Sequence, residues 1–247
     1  MKNILLTGAS GNLGINIIKQ LLDKPYRIFA QYSSNNYELL EIQKNNSNIT
    51  LLRANFEDNC KDFLEVISQN NIDIFICNSG IINHPKSFLQ VDEDEWYSVM
   101  RVNFDFPRII CKHLLPNMLK NNFGKMIFIS SIYGKVAASD FSPYVVSKHA
   151  LIALSKQIAK EYAPNGIRAN VLCPSTINSN MMRELAKVRS IESNITIEDY
   201  ISNLKTDIPL GRLAEVEDIA VFVKFLCSDD ADFICGTEIV IDGAQLA

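Results

Sequence analysis

The sequence predicts an α/β protein, a parallel sheet covered by helices on both faces, in a single domain spanning residues 1–247. Three observations predict it. Short apolar runs alternate with longer segments of helical period, which is the rhythm of βαβ units. The runs Ile72-Asp73-Ile74-Phe75-Ile76-Cys77 and Met126-Ile127-Phe128-Ile129 are almost continuously apolar, as strands buried on both faces are. A glycine-rich turn separates the first strand from an apolar helix.

In chain order, the expected strands are Ile4–Leu6, Arg27–Gln31, Thr50–Leu52, Ile72–Cys77, Lys125–Ser130, Arg168–Leu172 and Glu238–Ile241. The expected helices are Leu13–Leu22, Tyr37–Lys44, Cys60–Gln69, Glu93–Lys120, Tyr144–Tyr162 and Val216–Leu226. Asp92, with Glu95 three residues on, reads as a capping box for the fourth helix, and Pro107 and Pro116 are expected to bend or end it. Asn-rich stretches such as Asn45-Asn46-Ser47-Asn48 read as loops. Residues 180–204 are polar and weakly periodic, and are expected to be a mobile segment over a site rather than a sheet layer.

Composition narrows the function. Hydrophobic residues make up 47% and charged residues 21%, and the net charge is −4. This balance, with no basic cluster, gives no support to nucleic acid or an anionic membrane as partner. No apolar run approaches the roughly 20 residues of a membrane span, and the three apolar residues before Thr7 do not make a signal peptide. The 6 cysteines form no C-x-x-C pair and several lie in apolar runs, so they read as reduced core residues of a cytoplasmic protein. The 3 histidines lie far apart, and no metal site is expected.

Strand Ile4–Leu6 runs into Thr7-Gly8-Ala9-Ser10-Gly11-Asn12-Leu13-Gly14 and then a helix. Glycine permits a tight turn and a close ligand approach. The helix start offers free N–H groups and a positive dipole end to a pyrophosphate. This is the Rossmann-like, doubly wound arrangement of about seven strands, in which dinucleotides sit at the carboxyl end of the sheet. The second strand ends Gln31-Tyr32-Ser33-Ser34-Asn35 with no Asp or Glu to bind ribose hydroxyls. Ser33 and Ser34 can donate to a 2′-phosphate, although no Arg or Lys adjoins them in sequence. The reading is NADP, with NAD as the alternative.

Farther along, Ser130-Ser131-Ile132-Tyr133-Gly134 closes the fifth strand and Tyr144-Val145-Val146-Ser147-Lys148 opens a helix. Ser131 and Tyr144 are thirteen positions apart, and Tyr144 and Lys148 four. Residues four apart share a helix face. A phenol of pKa about 10 is a poor acid or base at neutral pH, and an adjacent ammonium is expected to lower it. Tyr144 can then exchange a proton with a carbonyl or alcohol oxygen. Ser131 can donate where negative charge develops on that oxygen.

These motifs resemble the single-domain branch of the short-chain dehydrogenases/reductases, and the resemblance runs from Ile4 to Ala244. Arg101-Val102-Asn103 holds the family's asparagine position, and Asn78-Ser79-Gly80 ends the fourth strand. Pro174 follows the sixth strand. Pro209-Leu210-Gly211-Arg212 and Ile241-Asp242-Gly243 match the C-terminal pattern. The resemblance implies a catalytic set of Asn103, Ser131, Tyr144 and Lys148, with Asn103 holding a water in a proton relay and Lys148 also binding the nicotinamide ribose. It implies cofactor contacts from Gly8, Ser10, Gly11, Asn12, Leu13 and Gly14, and from Tyr32, Ser33, Ser34, Asn55 and Phe56. Asn78, Ser79, Gly80, Tyr144, Lys148, Pro174, Ser175, Ile177 and Ser179 complete the set, Ser179 toward the carboxamide.

The pattern departs in places. Asn12 stands at the family's middle glycine, and the resulting Gly8/Gly11/Gly14 spacing looks like the longer, sugar-nucleotide branch. Cys77 replaces a common asparagine, Asn55 a common Asp at the adenine, Ser175 the glycine of a Pro-Gly turn, and Cys235 a Thr. Substrate identity stays open between a 3-oxoacyl-carrier-protein reductase-like role and a small or sugar-like carbonyl compound. Asn122 and Asn165 stand where carrier-binding arginines are usual, which weakens the first. An epimerase or dehydratase and a non-catalytic nucleotide sensor are the rival functions. Apolar residues on the fourth and fifth helices, with the resemblance, imply a homodimer or homotetramer.

Overall fold

Successive strand residues point to opposite faces of a sheet, so a strand covered on both sides needs apolar residues at odd and even positions alike. β1 (Lys2–Leu6) satisfies this, with Leu5 on one face and Ile4 and Leu6 on the other, all fully buried. The computed structural model describes residues 1–34 and 36–247, so Asn35 lies outside the described residues.

The remaining strands are β2 (Tyr26–Tyr32), β3 (Ile49–Arg53), β4 (Ile74–Cys77), β5 (Gly124–Ile129), β6 (Ile167–Pro174) and β7 (Glu238–Ile241). All pair in parallel, in the order β3-β2-β1-β4-β5-β6-β7. The direction of winding reverses between β1 and β4, which opens a crevice at their carboxyl ends. The seven strand expectations hold. Their boundaries differ by at most two residues: β1 starts at Lys2 rather than Ile4, β4 at Ile74 rather than Ile72, and β6 ends at Pro174 rather than Leu172.

Helices α1 (Asn12–Leu21), α2 (Tyr37–Lys44) and α3 (Lys61–Gln69) connect the first four strands. α4 (Glu93–Met100), α5 (Phe106–Lys120), α6 (Ser142–Tyr162), α7 (Asn180–Glu192), α8 (Ile197–Thr206) and α9 (Val216–Cys227) follow. One face of the sheet packs Phe75, Met126 and Phe128 against Phe63 of α3, Phe106 and Ile110 of α5 and Leu151 of α6. The other packs Ile28, Ile76 and Ile127 against Ile15 and Ile18 of α1 and Ile219 and Val223 of α9.

Three local outcomes differ from the sequence reading. The expected helix Glu93–Lys120 is interrupted by a π-turn at Arg101–Asp105, where the Phe106 N–H bonds the Arg101 carbonyl. Pro107 explains it, because proline has no N–H to offer the Asn103 carbonyl four residues earlier. Pro116 stays inside α5. The capping box is only half formed: Asp92 accepts from the Glu95 N–H, but Glu95 instead accepts from the His84 N–H and pairs with Lys86. Residues 180–204 hold two helices, α7 and most of α8, joined by a short turn. Ser179 caps α7 and Thr196 caps α8, and Met182, Ala186, Ile208 and Leu213 form a small core beneath them. Their apolar stripe is narrow, which is why the period was weak in sequence.

Candidate active site

The carboxyl ends of β1 and β4 are sewn together by short polar side chains. Thr7 Oγ1 accepts from the N–H groups of Asn78 (3.1 Å) and Ser79 (3.2 Å). Asn78 Nδ2 donates to the carbonyls of Thr7 (3.1 Å) and Gly8 (3.0 Å). Gln31, buried at the end of β2, accepts from the Gly8 N–H (2.9 Å) and the Ser79 hydroxyl (3.2 Å) and donates to the Ala54 carbonyl (2.6 Å). These bonds hold the glycine turn in one shape.

Gly8 has φ +63°, and a Cβ there would come within 3.0 Å of the Ser79 backbone. At Gly14 a Cβ would strike the Gly8 carbonyl and the Ala9 backbone. Glycine is therefore required at both. Gly11 precedes α1 and gives it no side-chain cap, so the first N–H groups of α1 face the cleft. A cradle of this kind fits a dinucleotide pyrophosphate.

The cleft has a volume of about 640 Å³. Gly8, Ser10, Gly11, Asn12 and Leu13 line it, as do Asn78, Ser79 and Gly80 and, across the sheet, Pro174, Ser175, Ile177 and Ser179. Ser131, Tyr144 and Lys148 form its floor. Ser131 follows β5, while Tyr144 and Lys148 lie one turn apart on α6. Lys148 Nζ lies 5.4 Å from the centre of the Tyr144 ring and donates to the Ile129 carbonyl at 2.9 Å. Ser130 Oγ donates to the Lys148 carbonyl. Gly80 leaves room for this arrangement, since a Cβ there would lie 3.3 Å from Lys148 Nζ and 3.6 Å from Asn103 Oδ1.

Asn103 is fully buried in the π-turn and does not line the cleft with its side chain. Its amide bonds both backbone groups of Ile81 and the Ser147 hydroxyl, which bonds the Tyr144 carbonyl. The side chain thus ties β4's extension to α6.

Burial dominates the electrostatics. It pushes the Tyr144 hydroxyl up to about 12, against a hydrogen bond from Ser131 that pulls it down. It holds the Lys148 ammonium down at about 8. The expected lowering of Tyr144 by Lys148 is therefore not present in this state: loss of water around the phenol outweighs the hydrogen bond from Ser131, which alone pulls the other way.

Six expected cofactor residues do not line this cleft, Gly14 because it is buried in the first turn of α1. Phe56 stacks on Phe106 at 4.3 Å in the core. Tyr32 packs against the α1 side of the sheet. Ser33, Ser34 and Asn55 line a second hollow. That hollow also holds Arg53, whose Nε donates to the Ser33 carbonyl at 3.4 Å, so a guanidinium does stand beside the two serines. Parallel pairing of Tyr32 with Arg53 brings it there, which spacing along the chain does not reveal. Ser179 lines the cleft but spends its hydroxyl on capping α7. Sequence reasoning also missed Glu38, which lines the cleft and pairs with Lys19 at 2.9 Å, and Gln31. Neither carries a motif signal.

Among the described residues no group of three His, Cys, Asp or Glu side chains is placed to hold a metal, and no helix is long and apolar enough to cross a membrane.

Comparison with known proteins gives consistent relatives. The family model described as enoyl-(acyl carrier protein) reductase matches residues 14–244. An uncharacterized oxidoreductase, YmfI, of Bacillus subtilis is 30% identical over 98% of this chain and 98% of its own. The 3-oxoacyl-[acyl-carrier-protein] reductase FabG of Haemophilus influenzae is 28% identical over 98% and 97%. The structure of 4-hydroxyisoleucine dehydrogenase complexed with NADH superposes with TM-score 0.88 at 28% identity, covering 100% of this chain and 99% of that one.

Proposed function

Because this chain belongs to the short-chain dehydrogenase/reductase family and is an NAD(P)-dependent oxidoreductase, we propose that Ser131, Tyr144, Lys148 and Asn103 carry its chemistry on a carbonyl or alcohol substrate. The observation that carries this reading is the meeting of the Ser131 and Tyr144 hydroxyls on the cleft floor beside Lys148, below the glycine cradle. When bound, the nicotinamide supplies or accepts the hydride. Tyr144 gives its proton to the carbonyl oxygen in reduction, or takes one in oxidation. Ser131 donates a hydrogen bond to that oxygen as charge develops. Lys148 stabilises the phenolate and binds the ribose. The Asn103 carbonyl, denied a donor by Pro107, holds a relay water.

The residues present fit a dinucleotide: Gly8 and Gly14 leave the space and α1 offers its N–H groups. The reading for the cofactor is NADP. Arg53 beside Ser33 and Ser34 suits a 2′-phosphate, and the Glu38 carboxylate that lines the cleft is neutralised by Lys19. The NADH in the 4-hydroxyisoleucine dehydrogenase structure keeps NAD as the alternative. The α7–α8 pair, lining the cleft opposite Tyr144, closes over substrate. Half-buried Phe104, Ile109 and Leu154, with exposed Phe222, Phe225 and Val240 on α9 and β7, suit a homodimer or homotetramer. Five buried free thiols suit the cytoplasm.

Titration of NADPH and NADH fluorescence followed by a carbonyl screen at 340 nm tests the reading. Tyr144→Phe is expected to lower turnover at least about 100-fold and leave cofactor affinity nearly unchanged. Full turnover by that variant removes the mechanism.

A further inference from the structure

The part of the cleft beyond Ser131 and Tyr144 is walled by Ile82, Phe141, Met181, Met182, Leu185 and Leu204, with the rings of Tyr133 and Tyr200 among them. Tyr133 stacks on Phe141 at 6.4 Å. Among the described lining residues only two are charged, Lys148 and Glu38. Lys148 bonds the Ile129 carbonyl below the floor, and Glu38 sits with Asn36, Tyr37 and Leu39 at the α2 end, paired with Lys19. The nearby cation, Arg189, lies behind the Phe141 ring (5.3 Å) and is held by Asp140 (2.8 Å) and Glu192 (3.1 Å). A carboxylate carried into this space would lose its water and meet no free cation, which costs several kcal/mol. A polyol would leave most of its hydroxyls facing hydrocarbon and thioether.

We propose that this enzyme takes carbonyls and secondary alcohols whose body is uncharged and mainly apolar, such as alkyl ketones and 3-oxo esters, and rejects carboxylates and polyols. The proposal rests on the oxidoreductase reading above and narrows its substrate class. The Met181 and Met182 side chains suit chains of differing length, since thioethers adapt to irregular shapes.

The test compares ethyl acetoacetate with acetoacetate, which share the reacting ketone, and 2-butanone with 2-octanone, all with NADPH and NADH. The expected kcat/KM for the ester exceeds that for the anion by at least about 100-fold, and each added methylene raises kcat/KM about threefold to fourfold. Equal or faster turnover of acetoacetate, or of a sugar, overturns the proposal and leaves the oxidoreductase reading intact. Leu185→Arg places a cation in the wall. It is expected to shrink the ester-to-anion ratio at least tenfold, whereas simple misfolding lowers both rates alike; an unchanged ratio overturns the proposal. Melting temperature in the presence of 2-octanone or octanoate reads the cavity without turnover. If no carbonyl is turned over, the oxidoreductase reading fails. The apolar site then stands on a rise with 2-octanone alone, and falls if octanoate stabilises more or 2-octanone gives no shift.

Discussion

Asn12 Oδ1 accepts a hydrogen bond from the backbone N–H of Asn180 at 2.9 Å, joining the glycine turn to the first residue of α7 across the cleft. A glycine at position 12, the family's usual residue, has no atom to do this. The bond links the cofactor cradle to the helix that walls the substrate space. Asn12→Gly is expected to free the start of α7 and raise the rate of NADPH release about fivefold, the worth of one hydrogen bond. Stopped-flow fluorescence of bound NADPH measures it, and an unchanged release rate shows that the bond does not restrain the cleft.

Arg53 supplies a second test, this time of cofactor choice. Its guanidinium is the one cation among the described residues lining the hollow with Ser33 and Ser34, which also holds Glu57, Asp58 and Asp62. Arg53→Ala is expected to raise KM for NADPH at least tenfold, the loss of a charge-assisted bond, and to leave KM for NADH unchanged. Loss for both cofactors alike places the effect on the fold of β3 instead.

Much of this architecture was legible because strand burial on two faces writes itself as continuous apolar runs. Ile72–Cys77 and Met126–Ile129 could hardly be anything but central strands, and the glycines at 8 and 14 announce a turn with no room for side chains. Tyr144 and Lys148 were readable because helix period fixes which residues share a face. The rest depended on distance in space. Gln31 looks like any polar strand residue until the Gly8 N–H lies against it. Arg53 reaches Ser33 only through strand pairing. The π-turn at Arg101–Asp105 required knowing that Pro107 would leave the helix continuous yet shift its hydrogen bonds. The high Tyr144 value arises from burial, which no local spacing encodes.

Alkaline pH probes the sheet core. Burial pushes the thiols of Cys77 and Cys227 up to about 12 and that of Cys173 to about 11, from 9.0. The folded state keeps protons there that the unfolded chain gives up. The resulting stability is fully present below pH 9 and drains away as pH rises toward 11 and 12. Each thiol is worth on the order of a few kcal/mol across that span. Melting temperature is expected to fall steeply above pH 9. Cys227→Ala is expected to flatten that fall whatever it costs at neutral pH, and an equally steep fall in the variant refutes the assignment.

Lys148 runs the opposite way, and it separates stability from function at one residue. Its folded value of about 8 lies below the ordinary 10.5 because burial penalises the ammonium. Between those values the unfolded chain holds more protons than the folded one, so this group's destabilising effect is complete below pH 8 and disappears by about pH 10.5. The depression corresponds to about 3 kcal/mol, from which the bond to the Ile129 carbonyl returns about 1 kcal/mol. Lys148→Met keeps the aliphatic stem and removes the charge. At pH 7 the variant is expected to melt several degrees higher than the wild type and to show almost no turnover. Its advantage in melting temperature is expected to vanish as pH climbs from 8 to 10.5. A variant that melts lower at pH 7, with a gap independent of pH, would show that the buried ammonium stabilises this fold rather than straining it for the sake of the reaction.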